Sequence, residues 1–203
     1  MDSEARIVSS LQAASADVEL PPLPPSRLRN VIGLGLQEAL QQLYPEATTI
    51  QAERLVARYR HHFLTASQIV TPLFPGAKAT LVQLQQQGYL LAVATGKGRQ
   101  GLQRAFAESE TGDYFVASRC ADECHSKPHP QMLLELLALF DVAPTRALMV
   151  GDTEYDLQMA SSAGVAAVAV CYGVHEPQRL QALQPLACLE AISELPVWLA
   201  ARS

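Results

Sequence analysis

Charged and aromatic residues are both scarce in this sequence. Only 17% of the 203 residues are charged and 6% are aromatic, whereas an average soluble domain is about 25% charged. The hydrophobic fraction of 49% is too high for a disordered chain. Basic residues are few as well, since 15 Lys and Arg stand against 20 Asp and Glu, for a net charge of −5. With no basic run to follow a phosphate backbone, nucleic acid is not expected as a main partner.

Long hydrophobic runs and paired metal-ligand motifs are also missing. The longest apolar stretch, residues 165–171, is far shorter than the roughly 20 residues that cross a bilayer, so no membrane segment is expected. Four cysteines behind a polar, acidic N-terminus predict a cytoplasmic protein with free thiols. Cys120, Cys124 and His125 have a spacing that could bind zinc, but no second Cys or His pair completes four ligands. Ordinary loop or core positions are therefore favoured for these three residues.

The hydrophobic pattern changes near Thr71 and Pro72. Residues 4–70 carry apolar side chains at helical spacing and no convincing strand, which predicts three or four helices. Beyond Gly76, short apolar runs alternate with helical segments. We expect helices at residues 77–87, 100–107, 130–140 and 155–163, and strands at residues 89–94, 114–117, 147–150 and 165–170. Strands that are apolar throughout predict an α/β fold with a parallel sheet covered by helices on both faces.

Polar residues follow three of these strands. Thr95 and Gly96 come after the first strand, Lys127 lies in the segment after the second, and Asp152 and Asp156 come after the third. In open parallel sheets, ligands bind beyond the carboxyl ends of the strands. A hydroxyl, an ammonium group and two carboxylates one helical turn apart together describe an anion site with a divalent metal. Each residue alone is common in a turn or a helix cap, but the ordered set is specific.

This ordered set, in a β/α region that follows a helical insert, resembles the haloacid dehalogenase-like superfamily. The similarity is to the branch with a small helical cap, typified by phosphoglycolate phosphatase. It implies a Rossmann-like parallel sheet. It also divides the chain into three segments: a remnant of the first core segment at 1–8, a helical cap domain at 9–71 and an α/β core domain at 72–203. It also implies a Mg²⁺-dependent phosphatase that hydrolyses a small phosphorylated metabolite through an aspartyl-phosphate. Such an enzyme is expected to be a monomer or a homodimer.

The resemblance assigns a role to each residue of the set. Thr95 and the backbone N–H of Gly96 would bind the phosphoryl group. Lys127 would neutralise the phosphate and the nucleophile. Asp152 would bind Mg²⁺, and Asp156 would be the second carboxylate that supports the metal or a bound water.

Other residues near the motifs are expected to lie outside the site or to tune it. Lys97, directly after Gly96, is expected to be a surface lysine. Residues of the cap that face the site would select the substrate. The candidates are Arg29, Asn30, Arg58 and His62. For these four residues a solvated helix face is the simpler explanation.

One motif of the family has no counterpart. The family's nucleophile belongs to an Asp-x-Asp-Gly-Thr loop after the first core strand, and no Asp-x-Asp occurs in these 203 residues. Met1, Asp2 and Ser3 are similar to the end of that family segment, so we expect the chain to begin a few residues after its own nucleophile. Asp2 is not a substitute, because no strand precedes it to position it. Without the central strand between those ending at Thr95 and Asp152, this chain is expected to be barely stable or to have a different sheet, and to be inactive.

Several functions remain open. The first is the phosphatase, and the second is a non-catalytic relative that binds a phosphorylated ligand or a partner protein. A dehalogenase on the same fold needs no metal, so the carboxylates of Asp152, Glu154 and Asp156 favour phosphate chemistry. A phosphosugar mutase on this scaffold is a further alternative. Genomic DNA upstream of Met1 separates the first two hypotheses, because only the phosphatase predicts an in-frame apolar run followed by Asp-x-Asp-Gly-Thr.

Overall fold

The first part of the chain is helical. The computed structural model describes residues 1–202. Its first elements are α1 (Glu4–Asp17), α2 (Pro25–Asn30), α3 (Leu36–Leu43), α4 (Thr49–His61) and a π-helical turn (His62–Ala66). The prolines at residues 21–25 separate α1 from α2, because proline lacks the N–H that a helix interior needs. Thr48 starts α4 through a capping box with Gln51.

These helices have a hydrophobic core of their own. The core includes side chains that are at most 4% exposed, from Leu11 in α1, Leu28 in α2, Leu40 in α3 and Leu55 in α4. The chain enters and leaves this helical region side by side, since the N–H of Asp2 donates to the carbonyl of Pro72 at 2.8 Å. The helical region is therefore a packed unit inserted at one point, while its boundaries at residues 9 and 71 stay a prediction.

From residue 77 the chain alternates helices and parallel strands, as the sequence predicts. The elements are α5 (Ala77–Gln86), β1 (Ala92–Thr95), α6 (Arg99–Ser109), β2 (Ala117–Cys120), α7 (Gln131–Phe140), β3 (Leu148–Gly151), α8 (Glu154–Ser162), β4 (Ala166–Val170), α9 (Pro177–Gln181), β5 (Cys188–Leu189) and α10 (Leu195–Ala200). The predicted α/β class is confirmed. Across residues 1–202, no helix combines the length and the apolar character needed to cross a membrane.

The strands form two separate sheets. β1 pairs with β2, and β3, β4 and β5 form a second sheet in that order, with parallel pairing throughout. Among the described residues no strand pairs with both β1 and β3. The sheet is therefore split at the position where the family resemblance places a central strand.

Apolar packing joins the two parts of the split sheet. Leu84 of α5, Val168 of β4, Leu189 of β5 and Leu195 at the start of α10 form one buried cluster. Leu91, just before β1, packs against this cluster together with Leu148 and Val150 of β3 and further partly buried residues. Side chains, rather than backbone hydrogen bonds, therefore connect β1 to β3.

The strand predicted at residues 114–117 is wrong in position. A 3₁₀ turn occupies Gly112–Tyr114, and β2 begins only at Ala117. β2 pairs with β1 alone and is therefore an edge strand. One of its side chains, Arg119, is bound to Glu135 at 2.6 Å. An edge strand of this kind lacks the continuous apolar run on which the prediction relied.

The expectation of free thiols is wrong for two of the four cysteines. Cys171, just after β4, forms a disulfide with Cys188 of β5, and the two Cα atoms are 5.9 Å apart. Cys120 and Cys124 are free. Burial raises the pKa of Cys120 to about 11, so this side chain is a thiol at neutral pH.

Candidate functional site

A cavity of about 970 Å³ lies where the carboxyl ends of β1 and β3 meet the helical region. All five residues that the sequence analysis predicts for the site line it. They are Thr95, Gly96, Lys127, Asp152 and Asp156. Three separate segments of the chain thus bring a hydroxyl, an ammonium group and two carboxylates to one space.

Lys127 and Asp156 form a buried ion pair in the wall of this cavity. The Lys127 Nζ lies 2.5 Å from Asp156 Oδ1, and the two side chains are only 7% and 5% exposed. The other oxygen, Asp156 Oδ2, accepts from the backbone N–H of Thr153 at 3.1 Å and from its hydroxyl at 2.8 Å. Both carboxylate oxygens of Asp156 are therefore engaged, and Lys127 is held in one position.

Asp152 follows β3 and presents its carboxylate to the cavity. Its Oδ2 accepts from the N–H of Val174 at 3.0 Å. Burial, and then the charge of Asp156, raise the pKa of Asp152. The loop after β4 passes very close, because a Cβ added at Gly173 would lie 2.2 Å from the Asp152 Cβ. Glycine is likewise needed at residue 151, because a Cβ added at Gly151 would lie 2.3 Å from the Asp156 Cβ.

The donor set of the site fits Mg²⁺. Mg²⁺ in proteins is held by one or two carboxylates, with water and phosphate oxygens completing the coordination. The loop after β4 binds Asp152 through Oδ2, so its contact does not occupy Oδ1. Burial and the charge of Asp156 oppose ionisation of Asp152 and raise its pKa, and the ammonium groups of Lys127 and Lys97 offset them only in part. A divalent cation bound at Asp152 would stabilise the charged carboxylate.

Thr95 and Gly96 lie where the helical region touches β1. The Thr95 Oγ1 accepts from the N–H of Lys97 at 3.1 Å, so its hydroxyl proton remains available to a ligand. A Cβ at Gly96 would come within 2.4 Å of the Leu34 carbonyl and 2.5 Å of the Gly33 carbonyl. Glycine is needed at residue 96 for this close approach of the helical region.

The expectation that Lys97 is a surface lysine outside the site is wrong. Lys97 lines the cavity, and its Nζ donates to Ser3 Oγ at 3.2 Å and lies 5.4 Å from the ring centroid of Phe63. Burial lowers the pKa of Lys97 to about 8, against the attraction of Asp152. Among residues 1–202 no carboxylate forms an ion pair with it. Its place next to Thr95 and Gly96 is the one sequence signal that could have indicated this position.

The four candidates proposed from the cap do not line the cavity. Arg58 and His62 both bind Asp17, at 2.6 and 2.7 Å, because they lie on the face of the helix that packs on α1. Arg29 pairs with Glu4, and Asn30 contacts α8 and α9. The helical region instead contributes other side chains to the cavity, among them Leu36, Tyr59, Arg60, Phe63 and Leu64.

Within residues 1–202, Cys120, Cys124 and His125, whose spacing could bind zinc, do not come together as a group of metal ligands. Cys120 lies instead with Asp122 and Glu123, whose ligand atoms are within 4.8 Å of one another. Glu123 is bound to Arg99 at 2.6 Å and accepts from the Cys120 N–H at 3.0 Å. Both oxygens of Asp122 accept from the N–H of Arg99. These bonds give the two carboxylates a structural role at the start of α6.

Comparison with known proteins agrees with this geometry. The model of the haloacid dehalogenase-like hydrolase family matches residues 1–170. The probable phosphatase IndB of Dickeya dadantii is 33% identical over 201 residues, covering 96% of this chain and 86% of the relative. A phosphoglycolate phosphatase of Cupriavidus necator is 28% identical, covering 98% and 88% of the two chains.

Solved structures show the same fold. The crystal structure of a predicted phosphoglycolate phosphatase from Haemophilus somnus aligns with a TM-score of 0.86 at 25% identity, covering 97% of this chain and 92% of that one. A haloacid dehalogenase-like hydrolase from Bacteroides fragilis aligns with a TM-score of 0.88 at 24% identity, covering 96% and 93%. The sequence and structural matches together extend over nearly the whole chain. The chain therefore belongs to the haloacid dehalogenase-like hydrolase family.

Proposed function

We propose that the cavity is the site of a Mg²⁺-dependent phosphomonoester hydrolase that acts on a small phosphorylated metabolite through an aspartyl-phosphate. The observation that carries this proposal is the meeting of Thr95, Lys127 and Asp152 around one cavity. Relatives named as phosphatases support it. We further propose a cytoplasmic monomer or homodimer with no nucleic acid or membrane partner.

Lys127 and Thr95 are proposed to hold the phosphoryl group. The ammonium of Lys127 is fixed by Asp156, so its charge is in place before a phosphate arrives. The hydroxyl of Thr95 keeps its proton free for a phosphoryl oxygen. The backbone N–H of Gly96, next to Thr95 in the cavity wall, is proposed to donate to another phosphoryl oxygen.

Asp152 is proposed as the main ligand of Mg²⁺, with Asp156 supporting the ion or a bound water from one helical turn further. Mg²⁺ bound there would neutralise charge on the phosphoryl oxygens and orient the ester. Since both oxygens of Asp156 already bind Lys127 and Thr153, its support is expected to be indirect. The two carboxylates at this position favour phosphate chemistry over that of a dehalogenase, which uses no metal.

A second candidate is a non-catalytic protein of this fold that binds a phosphorylated ligand. The observation behind it is that these 203 residues contain the proposed binding residues but no Asp-x-Asp. Asp2 lines the cavity, and its backbone N–H donates to the Pro72 carbonyl. We therefore expect the 203-residue chain to bind phosphomonoesters without hydrolysing them.

A turnover assay tests these two candidates. The 203-residue chain and a designed variant, with an apolar strand and Asp-x-Asp-Gly-Thr fused ahead of Met1, are each given a panel of phosphomonoesters at millimolar Mg²⁺. The hydrolase proposal predicts phosphate release by the designed variant and none above background by the 203-residue chain. Ligand binding without release by either protein would favour the non-catalytic candidate. Robust Mg²⁺-dependent release by the 203-residue chain would show that these residues contain a nucleophile of their own, and would contradict both expectations for this chain.

A further inference from the structure

We infer that His175 is a positioning residue, which holds the carboxylate of Asp152 in place for a cation by tying the loop after β4 to the start of α8. This inference rests on the proposed Mg²⁺ site. His175 is 3% exposed and follows directly on the cavity-lining residues Tyr172, Gly173 and Val174. It belongs to none of the motifs from which the sequence analysis built the site.

Three hydrogen bonds join the two segments. The N–H of Val174 donates to Asp152 Oδ2 at 3.0 Å, and the N–H of His175 donates to the Asp152 carbonyl at 3.2 Å. The third runs in the opposite direction, from the N–H of Glu154 to His175 Nδ1 at 3.1 Å. The first bond fixes one oxygen of Asp152 and leaves Oδ1 to face a ligand. The second and third fix the backbone that follows that carboxylate, from the Asp152 carbonyl to the Glu154 N–H.

The third bond depends on one atom of the imidazole. A backbone N–H can only donate, so Nδ1 of His175 must be the acceptor and the ring must be neutral, with its proton on Nε2. The Tyr155 ring packs edge-on against the imidazole, with the centroids 5.4 Å apart. His175 therefore has a fixed orientation, and its Nδ1 supplies the acceptor that the first turn of α8 would otherwise lack.

Packing at Gly173 cannot replace these bonds. A Cβ at Gly173 would overlap Asp152, so no side chain of that residue can press the loop into place. The loop approaches the carboxylate as bare backbone and is held there by hydrogen bonds at residues 174 and 175. Loss of the imidazole would release the loop, and with it the N–H of Val174 that orients Asp152.

Three substitutions separate the role of Nδ1 from the mere presence of a side chain. His175→Asn places an acceptor near the position of Nδ1, His175→Gln places one near that of Nε2, and His175→Leu has none. Mg²⁺ binding to the 203-residue chain is measured by isothermal titration calorimetry. We expect the Leu and Gln variants to bind Mg²⁺ roughly tenfold or more weakly, as is usual when a partner behind a metal ligand is lost. The Asn variant should regain most of the affinity.

Hydrogen exchange of the Val174 and Glu154 amides provides a second measurement that needs no metal. Both amides should lose protection in His175→Leu and His175→Gln and keep it in His175→Asn. If His175→Leu does not fold, the Asn and Gln variants make the same comparison. Equal Mg²⁺ affinity in wild type and the Gln or Leu variant would overturn the role of His175 alone. A wild-type chain that binds no Mg²⁺ would contradict the metal site, and this inference with it.

Discussion

At the scale of single residues, the ion pair of Lys127 and Asp156 is the most demanding feature of the site. Both side chains are almost fully buried, so each charge depends on the other for compensation. The sequence places these residues 29 positions apart on different strand ends. Their charges therefore stabilise the fold only when both segments are correctly placed.

Lys127→Met should lower the free energy of unfolding by about 3–5 kcal/mol at neutral pH, because it leaves a buried carboxylate without its cation. Chemical denaturation measures this loss. Lys78→Met is the matched control, since Lys78 forms an exposed pair with Glu110 at 3.1 Å and should cost about 1 kcal/mol or less. A Lys127 variant no less stable than the Lys78 variant would show that the pair is not required.

Gly173 allows a second prediction at this scale. Gly173→Ala should weaken Mg²⁺ binding, because the added Cβ would overlap Asp152 and push its carboxylate out of place. Gly112→Ala is the control, since a Cβ there meets only ordinary contacts with Phe106, at 3.4 Å or more, and the residue does not line the cavity. Unchanged Mg²⁺ affinity of Gly173→Ala in calorimetry would argue against a close approach of this loop.

At the scale of elements, apolar strands and amphipathic helices could be predicted from the sequence, whereas strands that contain polar residues or are very short could not. β3 and β4 are apolar runs, so their positions were found to within one or two residues. β2 contains Ser118 and Arg119, and β5 has only two residues, so neither has a clear hydrophobic signal. The five predicted site residues were located by their chemical types, by their order after successive strands and by the family resemblance.

The positions of Lys97 and His175 in the site depend on contacts between segments that are far apart in the sequence, and no local sequence pattern indicates such contacts. Lys97 lines the cavity because the helical region folds over β1, and His175 reaches Asp152 because β4 pairs with β3. The disulfide between Cys171 and Cys188 likewise follows from the pairing of β4 with β5. The cap candidates were wrong for the same reason, since the face that α4 turns to α1 could not be known in advance.

The disulfide gives a prediction for the sheet. It closes a loop of 17 residues between β4 and β5, which on the chain-entropy account stabilises the fold by about 3 kcal/mol. The double variant Cys171→Ser with Cys188→Ser should therefore melt at a lower temperature than the oxidised wild type. Reduction of the wild type should lower its melting temperature to a similar extent. A melting temperature insensitive to both changes would exclude this bond from the folded protein in solution.

At the scale of the whole molecule, polar contacts fasten the helical region to the α/β region. Glu108 of α6 accepts from Arg6 of α1 at 2.9 Å, from Thr71 at 3.0 Å and from Arg104 at 2.5 Å. A second contact joins the Asn30 carbonyl to the Tyr155 hydroxyl at 2.8 Å. These contacts join the helical region to α6 and to α8, so they help to set how the helical region lies on the α/β region.

The contact at Glu108 predicts a pH dependence of stability. Burial alone would raise the pKa of Glu108, but hydrogen bonds from Arg104, Arg6 and Thr71 outweigh it and lower the pKa to about 2. A carboxyl with a lowered pKa stabilises the fold above its ordinary value of 4.5 and loses that contribution as the pH falls toward about 2. Glu108→Gln should be less stable than wild type by roughly 2 kcal/mol at pH 7.

Denaturation at several pH values checks this prediction. The stability difference between wild type and Glu108→Gln should shrink below pH 4.5, the ordinary pKa of the group, and be nearly gone near pH 2. A difference that stays constant over this range would mean that the Glu108 carboxylate does not hold the two regions together.

The central claim is that one cavity binds a phosphate and Mg²⁺ jointly through Thr95, Lys127 and Asp152. Calorimetric titration of the 203-residue chain with inorganic phosphate, with and without Mg²⁺, tests it most directly. We predict that Mg²⁺ strengthens phosphate binding to wild type, that Asp152→Asn removes this coupling, and that Asp113→Asn, an exposed charge outside the cavity, leaves it intact. Phosphate binding that is absent, or that ignores Mg²⁺ in the wild-type chain, would contradict the claim.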